Sequence, residues 1–214
     1  MLQRLQIVFI VLMLGNFTCL QAQTVSYAAG MKKYLAQFDR AGSQAEFIKA
    51  SQGFENLAQT APSEWLPYYY AGLCQAIGAL SAPKGDIDAL CDKGDRLAAK
   101  DDSLSSGNSE VDVLRAMLSA ARIMVDEKKR AQKYGGQVSK WANAAIKHDA
   151  SNPRAYLLKG RALLHTPEAF GGGSKKAKPV FETARAKFEV FKAPEAFWPD
   201  WGKTEVEKEL KAIK

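Results

Sequence analysis

The sequence predicts an all-α protein made of antiparallel helical hairpins that stack side by side. Apolar residues recur three and four positions apart through seven separate stretches, which is the period of an α-helix. No stretch alternates between apolar and polar residues for long enough to predict a sheet. Short breaks separate the helices, and such short connections place consecutive helices antiparallel, as hairpins. Hydrophobic residues make up 47% of the chain and charged residues 25%, which suits a buried core beneath a hydrated surface.

Turn-forming residues set the boundaries of the helices. The predicted helices span residues 46–60, 65–80, 87–100, 110–126, 138–149, 154–165 and 175–191. The breaks between them include Gly42-Ser43, Pro62-Ser63, Gly135-Gly136, Asn152-Pro153 and Gly171–Ser174. Ser43, Asn108 and Ser174 are of the types that cap a helix start, and Pro153 suits a first helical position. The helix 154–165 is apolar around much of its circumference, which predicts burial on more than one side.

Residues 1–23 have the pattern of a signal peptide. One positive charge, Arg4, precedes the apolar run 7–14, and small and polar residues follow up to Ala22. The run is too short to span a bilayer, so we expect cleavage near Ala22 and a periplasmic or secreted protein without a stable membrane span. An uncleaved anchor stays open. A lipoprotein attached through Cys19 is less favoured, because the residues before it fit a lipid-attachment motif poorly.

Charge and cysteine content limit the partners. The formal net charge is +7, but the lysines are scattered and do not interleave with aromatic residues. This distribution argues against nucleic acid as a partner. Two cysteines, Cys74 and Cys91, follow the leader. An oxidising compartment would permit a disulfide between them, and a pair of buried thiols is the alternative.

A helical repeat pattern runs across the break near residue 62. Ala50 and Phe54 stand four apart in one helix, Pro62 follows, and Tyr68 and Gly72 lie in the next helix. Small residues let two helices approach closely, whereas the large residues fill the space between layers.

The same register returns 88 residues later. Tyr156 and Gly160 repeat the positions of Tyr68 and Gly72, and Ala177-x3-Phe181 follows in the next helix. With these motifs the chain resembles the tetratricopeptide repeat (TPR) family, and in particular small exported TPR proteins of Gram-negative bacteria with degenerate repeats. The resemblance covers roughly residues 31–190, and the stretch 86–137 matches the pattern poorly.

The resemblance implies a short right-handed superhelix, a TPR-like α-solenoid. Its parts would be a signal peptide at 1–23, a repeat domain at 24–192 and a capping segment at 193–214. The expected hairpins span about 25–62, 63–102, 108–150 and 151–192. We expect Phe197, Trp198 and Trp201 of the capping segment to pack over the final hairpin.

The resemblance also implies a binding function. The first helices of TPR hairpins line a concave face that holds a protein or peptide partner. The residues expected to contact this partner are Leu66, Tyr69, Leu73, Ile77, Arg154, Leu157, Arg161 and His165. The alternative is a periplasmic carrier of a small apolar ligand or lipid, which the run Tyr68-Tyr69-Tyr70 and the apolar helix 154–165 motivate.

The sequence does not predict an enzyme. His148 and His165 lie in no metal-binding spacing, and the two cysteines lack the C-x2-C form. The segment 171–175 lacks the pattern of a phosphate-binding P-loop and does not follow a strand. No catalytic triad can be assembled from the sequence. We therefore expect neither catalytic residues nor a cofactor or metal ion.

Overall fold

The computed structural model describes residues 26–81 and 86–213, and within them it is all-α. The leader expected at residues 1–23 lies outside the described residues. The described helices are α1 at 26–40, α2 at Gln44–Thr60, α3 at Trp65–Ser81, α4 at Ile87–Leu104, α5 at Ser109–Ile123, α6 at Glu127–His148, α7 at Pro153–His165, α8 at Ser174–Val190 and α9 at Lys203–Ala212. A single 3-10 turn, Glu168–Phe170, lies between α7 and α8 among the described residues. The predicted all-α class is confirmed.

Local capping explains where several helices begin. The Ser43 hydroxyl accepts a hydrogen bond from the backbone N–H of Glu46, and the Glu46 carboxylate accepts one in return, so a full capping box starts α2. Asn108 caps α5, and Pro153 occupies the first turn of α7. The cap predicted at Ser174 is wrong, because this residue is already helical and follows Gly173 at φ 90°.

One predicted break is absent. Helix α6 continues through Gly135 and Gly136, which the sequence placed between two helices. Asp126 caps its start by accepting from the N–H of Lys129, so the helix begins 11 residues earlier than predicted. Glycine weakens a helix, whereas proline terminates or kinks it. Here the helix continues through both glycines.

Each helix packs against the next along the chain from α2 to α9, and α3, α5 and α7 also contact one another in sequence. This order is compatible with stacked hairpins, with α5 in the centre. The two register glycines lie at close helix crossings. A Cβ at Gly72 would lie 2.7 Å from Cδ2 of Leu114, and one at Gly160 would lie 2.5 Å from Cε1 of Phe181.

The segment 191–202 crosses back over the early helices. The Tyr70 hydroxyl of α3 donates to the carbonyl of Phe197 at 3.0 Å, and the indole of Trp198 packs on that of Trp65 with centroids 5.0 Å apart. Phe197 has φ 64°, a left-handed conformation that non-glycine residues seldom adopt. All three aromatic residues expected to cover the final hairpin, Phe197, Trp198 and Trp201, therefore contact α3, more than 120 residues earlier.

The two cysteines in the described part of the chain do not form a disulfide. Cys74 and Cys91 are free thiols in the core, and the Sγ of Cys91 donates to the carbonyl of Leu118. Burial raises the pKa of Cys91 to about 12 and raises that of Cys74 as well, so both stay protonated. None of the helices in the described ranges combines the length and the apolar character that crossing a membrane requires.

Replacing Gly160 by alanine tests the close crossing of α7 and α8. The new methyl group would overlap the ring of Phe181, so we expect the free energy of unfolding to fall by about 1–3 kcal/mol. Urea denaturation measures this change. Gly42→Ala is the matched control, because nothing lies within 4 Å of its Cβ position, and equal losses in the two variants would contradict close packing at Gly160.

Candidate functional site

A fully buried ion pair joins α5 to α7. The side chain of Arg154 is 0% exposed, and that of Glu110 is 1% exposed. The Nε of Arg154 donates to both carboxylate oxygens of Glu110 at 2.9 Å, and its Nη2 lies 2.7 Å from Oε1. Burial lowers the pKa of Arg154, but Glu110 raises it, and the net result lies above the ordinary value. The Arg154 guanidinium is therefore held charged against the Glu110 carboxylate inside the protein.

Three further side chains complete this network. The Tyr69 hydroxyl donates to Oε2 of Glu110 at 3.3 Å and accepts from Nε1 of Trp201 at 3.0 Å. The Asn152 amide donates to Oε1 of Glu110 at 2.8 Å. Burial and the Glu110 charge raise the pKa of Tyr69 well above its usual value, so its hydroxyl stays a donor. The C-terminal segment is thus tied to the face formed by α3, α5 and α7.

This arrangement places most of the residues expected to bind a partner in the core. The five with almost no exposed surface are Leu66, Tyr69, Leu73, Arg154 and Leu157. Ile77 and Arg161 are half-buried, and His165 is exposed. Arg161 donates to the Glu209 carboxylate at 2.7 Å, which ties it to α9. The face expected to hold a partner is covered by the chain's own C-terminal segment.

An open cleft lies instead between α4, α5 and α6. Its volume is about 420 Å³, within the range typical of small-molecule sites. We call it the α4–α6 cleft; its lining residues are Asp95, Arg115, Ser119, Arg122, Lys133, Tyr134, Gln137 and Trp141. None of these residues was predicted as a binding residue from the sequence.

Acidic residues of α4 orient the two arginines of the cleft. Arg122 lies 2.6 Å from Asp92 and 2.8 Å from Asp95, and Arg115 lies 3.2 Å from Asp102. Burial lowers the pKa of Arg122, but Asp95 and Asp92 raise it, and it ends above the ordinary value. The carboxylates fix the position of each guanidinium.

Cations also lie over the two aromatic rings of the cleft. The Arg115 guanidinium is 4.9 Å from the ring centroid of Trp141, and Lys133 is 4.9 Å from that of Tyr134. Cations within about 6 Å of a ring face are attracted by its quadrupole. Across residues 26–81 and 86–213, no carboxylate comes within ion-pair distance of Lys133. The cleft therefore offers flat aromatic surface beside positive charge.

A histidine and a buried carboxylate adjoin the cleft along α5 and α6. The Nδ1 of His148 lies 2.6 Å from Oδ2 of Asp112, and Oδ1 of the same carboxylate lies 3.8 Å from Nη1 of Arg115. Burial raises the pKa of Asp112, although His148 and Arg115 oppose this shift. The contact fixes the orientation of the imidazole, as carboxylates do for metal-bound histidines. In the part of the chain that the structure describes, no three His, Cys, Asp or Glu side chains converge as metal ligands do.

Asp101 is a buried carboxylate at the end of α4. Its Oδ1 accepts from the Ser105 hydroxyl at 2.8 Å, while its Oδ2 has no hydrogen-bond partner among the described residues. Burial raises the pKa of Asp101 to about 7, with a smaller contribution from Asp102. This carboxyl group therefore changes its charge near neutral pH. It is adjacent in sequence to Asp102, which pairs with Arg115.

Fold and cleft together define the class: an all-helical protein with an aromatic and cationic cleft of small-molecule size. No protein-family model matches the chain, and no curated protein does. Among solved structures, the chain is similar to the HusA haemophore from Porphyromonas gingivalis, with 32% identity and a TM-score of 0.81. The match covers 88% of this chain and 92% of that one, and the chain belongs to the family of the HusA haemophore.

This family corrects the expected function. The prediction of a scaffold that binds a protein or peptide partner through a concave face was wrong, because the relative is a haemophore, a carrier protein. The alternative prediction, a carrier of a small ligand, agrees with that relative better. The helical fold is consistent with TPR-like hairpins, but no family model supports membership of the TPR family.

A signal for the cleft was present in the sequence. Most of the cleft lies in the stretch 86–137, where the repeat pattern matches poorly. The break expected at Gly135-Gly136 concealed this, because it placed Tyr134 and Trp141 on different elements, whereas they lie seven residues apart on one helix.

Removing the buried arginine tests its structural role. Arg154→Met leaves the Glu110 carboxylate buried without its cation, so we expect the free energy of unfolding to fall by about 3–5 kcal/mol. Arg161→Met is the control, because the pair that it breaks is partly exposed and contributes about 1 kcal/mol or less. Urea denaturation measures the free energy of unfolding of both variants. Equal decreases in the two would contradict a special structural role for the buried Arg154–Glu110 pair.

Asp101→Asn tests the charge change near neutral pH. The pKa of Asp101 is higher in the folded protein than in the unfolded chain, so the protonated form of this carboxyl group favours folding. The free energy of unfolding is therefore highest below about pH 4 and falls as the pH rises through 7. Asparagine keeps the acceptor for Ser105 and removes the charge. At pH 8 we expect the variant to be more stable than the wild type by up to about 4 kcal/mol, with this gain disappearing towards pH 4. Chemical denaturation across pH 4–8 measures it, and parallel stability curves would refute the assignment.

Proposed function

We propose that this protein is an exported carrier of haem that holds its ligand in the α4–α6 cleft. Membership of the family of the HusA haemophore supports the ligand class. The leader expected at residues 1–23 agrees with a carrier that works outside the cytoplasm. The cleft carries the proposal, because its side chains match the two chemical features of haem.

Haem is a flat aromatic macrocycle, and the cleft presents rings against which it can stack. Tyr134 and Trp141 lie two turns apart on α6 and both line the cleft. Aromatic stacking contributes roughly 0.5–1.5 kcal/mol per pair beyond the burial of surface. Arg115 and Lys140 lie 4.9 and 4.7 Å from the Trp141 centroid, and Lys133 lies 4.9 Å from that of Tyr134, so each ring of the cleft lies beside positive charge.

Haem also carries two carboxylates, and the cleft presents cations to meet them. The guanidinium groups of Arg115 and Arg122 are held in place by acidic residues, and an arginine fork binds a carboxylate through paired hydrogen bonds. Lys133 adds a positive charge that is not neutralised by any described carboxylate. A neutral lipid would use the rings but not these cations, so the cleft favours an aromatic acid.

The covered face offers no competing site. Trp201 and Phe197 cover the face of α3 and α7 to which a ligand would bind. A hydrogen bond joins Trp201 to Tyr69, and another joins the carbonyl of Phe197 to Tyr70. Opening this face would break the hydrogen bonds that the C-terminal segment makes with Tyr69 and Tyr70. The ligand therefore binds away from the C-terminal segment.

A haem titration with ring-deleted variants tests the proposal. We expect wild-type protein to bind haem with a saturable change in the visible absorption spectrum, and Tyr134→Ala/Trp141→Ala to bind about tenfold or more weakly. Tyr156→Ala is the matched control: Tyr156 is also a half-buried aromatic residue beneath a lysine, with Lys187 4.8 Å from its ring, but it lies outside the cleft. Its affinity should stay within about twofold of the wild type.

Two results would count against this assignment. If the double variant binds haem as tightly as the wild type, the ligand lies elsewhere. If the control loses as much affinity as the double variant, the loss is not specific to the cleft. Circular dichroism of each variant verifies that the helices are intact.

A further inference from the structure

Helix α6 consists of two halves that are packed very differently. Its fully buried residues, Val138, Ala142 and Ala145, all lie after the glycine pair. Residues 127–136 include no buried side chain. The second half is therefore held by the core, whereas the first half, residues 127–134, is an arm that lies on the surface.

The glycine pair that joins the two halves has no packing role. Nothing lies within 4 Å of the position that a Cβ would occupy at Gly135 or at Gly136. By contrast, Gly72, Gly94 and Gly160 lie against neighbouring side chains that a methyl group would overlap. Glycine is the least favourable residue after proline inside a helix, so two of them in open space weaken α6 at this point without a gain in packing.

Few contacts attach the arm to the rest of the protein. Arg130 donates to both oxygens of Asp88 on α4 at 2.7 and 2.9 Å, with both side chains partly exposed. The Arg122 guanidinium lies 6.0 Å from the Tyr134 ring centroid. Partly exposed ion pairs of this kind stabilise a contact only weakly, and they break and form readily.

We propose that residues 127–134 form a hinged arm, with Gly135 and Gly136 as the hinge, which opens and closes the α4–α6 cleft around its ligand. This rests on the proposed function for the identity of the ligand. The arm carries Lys133 and Tyr134, whereas Trp141 and the two arginines belong to the fixed wall. Movement at the hinge brings one ring and one cation of the site towards the other wall. Such closure admits the ligand when the cleft is open and retains it when closed.

Hydrogen exchange on the free protein tests the hinge without any ligand. We expect the amides of residues 131–136 to exchange at least tenfold faster than those of 142–147, and Gly135→Ala/Gly136→Ala to slow the first group at least fivefold. The first-turn amides are excluded, because they lack partners within any helix. Equal protection along wild-type α6 would overturn the hinge.

Stopped-flow mixing with haem tests the gate. We expect Gly135→Ala/Gly136→Ala to slow both haem association and dissociation at least fivefold, while the equilibrium affinity changes less than threefold. Asp88→Asn, which loosens the contact with Arg130, should accelerate dissociation about two- to threefold. Asn143→Ala is the matched control: it adds alanine at an exposed position in the packed half of the same helix, and its rates should equal those of the wild type.

The outcomes separate the hinge from the ligand. Unchanged haem rates in the glycine double variant, or equal slowing in the Asn143 control, would overturn the gate. If wild-type protein does not bind haem, the proposed function fails, and the hydrogen-exchange comparison still decides whether α6 bends at the glycine pair.

Discussion

The rest of the structure depends on the burial of one charged pair. A guanidinium that is shielded from water, like that of Arg154, is tolerated only when its partners satisfy it, and here Glu110 accepts from it while Tyr69 and Asn152 bind the same carboxylate. These groups come from α3, α5, α7 and the turn before α7. Because Trp201 joins the network from the other end of the chain, the pair fixes the course of the C-terminal segment as well. One electrostatic requirement thus closes the face that stacked hairpins would otherwise leave open.

Closure of that face determines where a ligand can bind. The same central helix, α5, presents Glu110 to the buried network and Arg115 and Arg122 to the cleft. Both surfaces place arginines beside carboxylates, but with opposite consequences. In the core the pair is fully buried, whereas in the cleft the arginines are oriented by acidic residues and remain partly accessible, as a site for an anionic ligand requires. A haem carrier needs such a site together with aromatic surface, and the cleft provides both.

Much of the fold could be predicted from the sequence, because its signals are local. Helical periodicity, the capping box at Ser43 and the proline after Asn152 each act within a few residues. Gly72 and Gly160 were also placed correctly at close crossings, because only a small residue permits such an approach. The course of segment 191–202 could not be predicted, since Trp198 finds Trp65 across more than 130 residues and nothing local encodes that contact. The repeat pattern also points to the face that this segment covers, and the cleft proposed for the ligand lies where the pattern fails.

A crystal structure of the protein with haem tests the central claim most directly. The account predicts porphyrin density between the arm of α6 and the fixed wall at Trp141, with carboxylates near Arg115, Arg122 or Lys133. Segment 191–202 should remain in place over α3 and α7. Density for porphyrin beneath a displaced C-terminal segment, against Tyr69 and Arg154, would contradict the account.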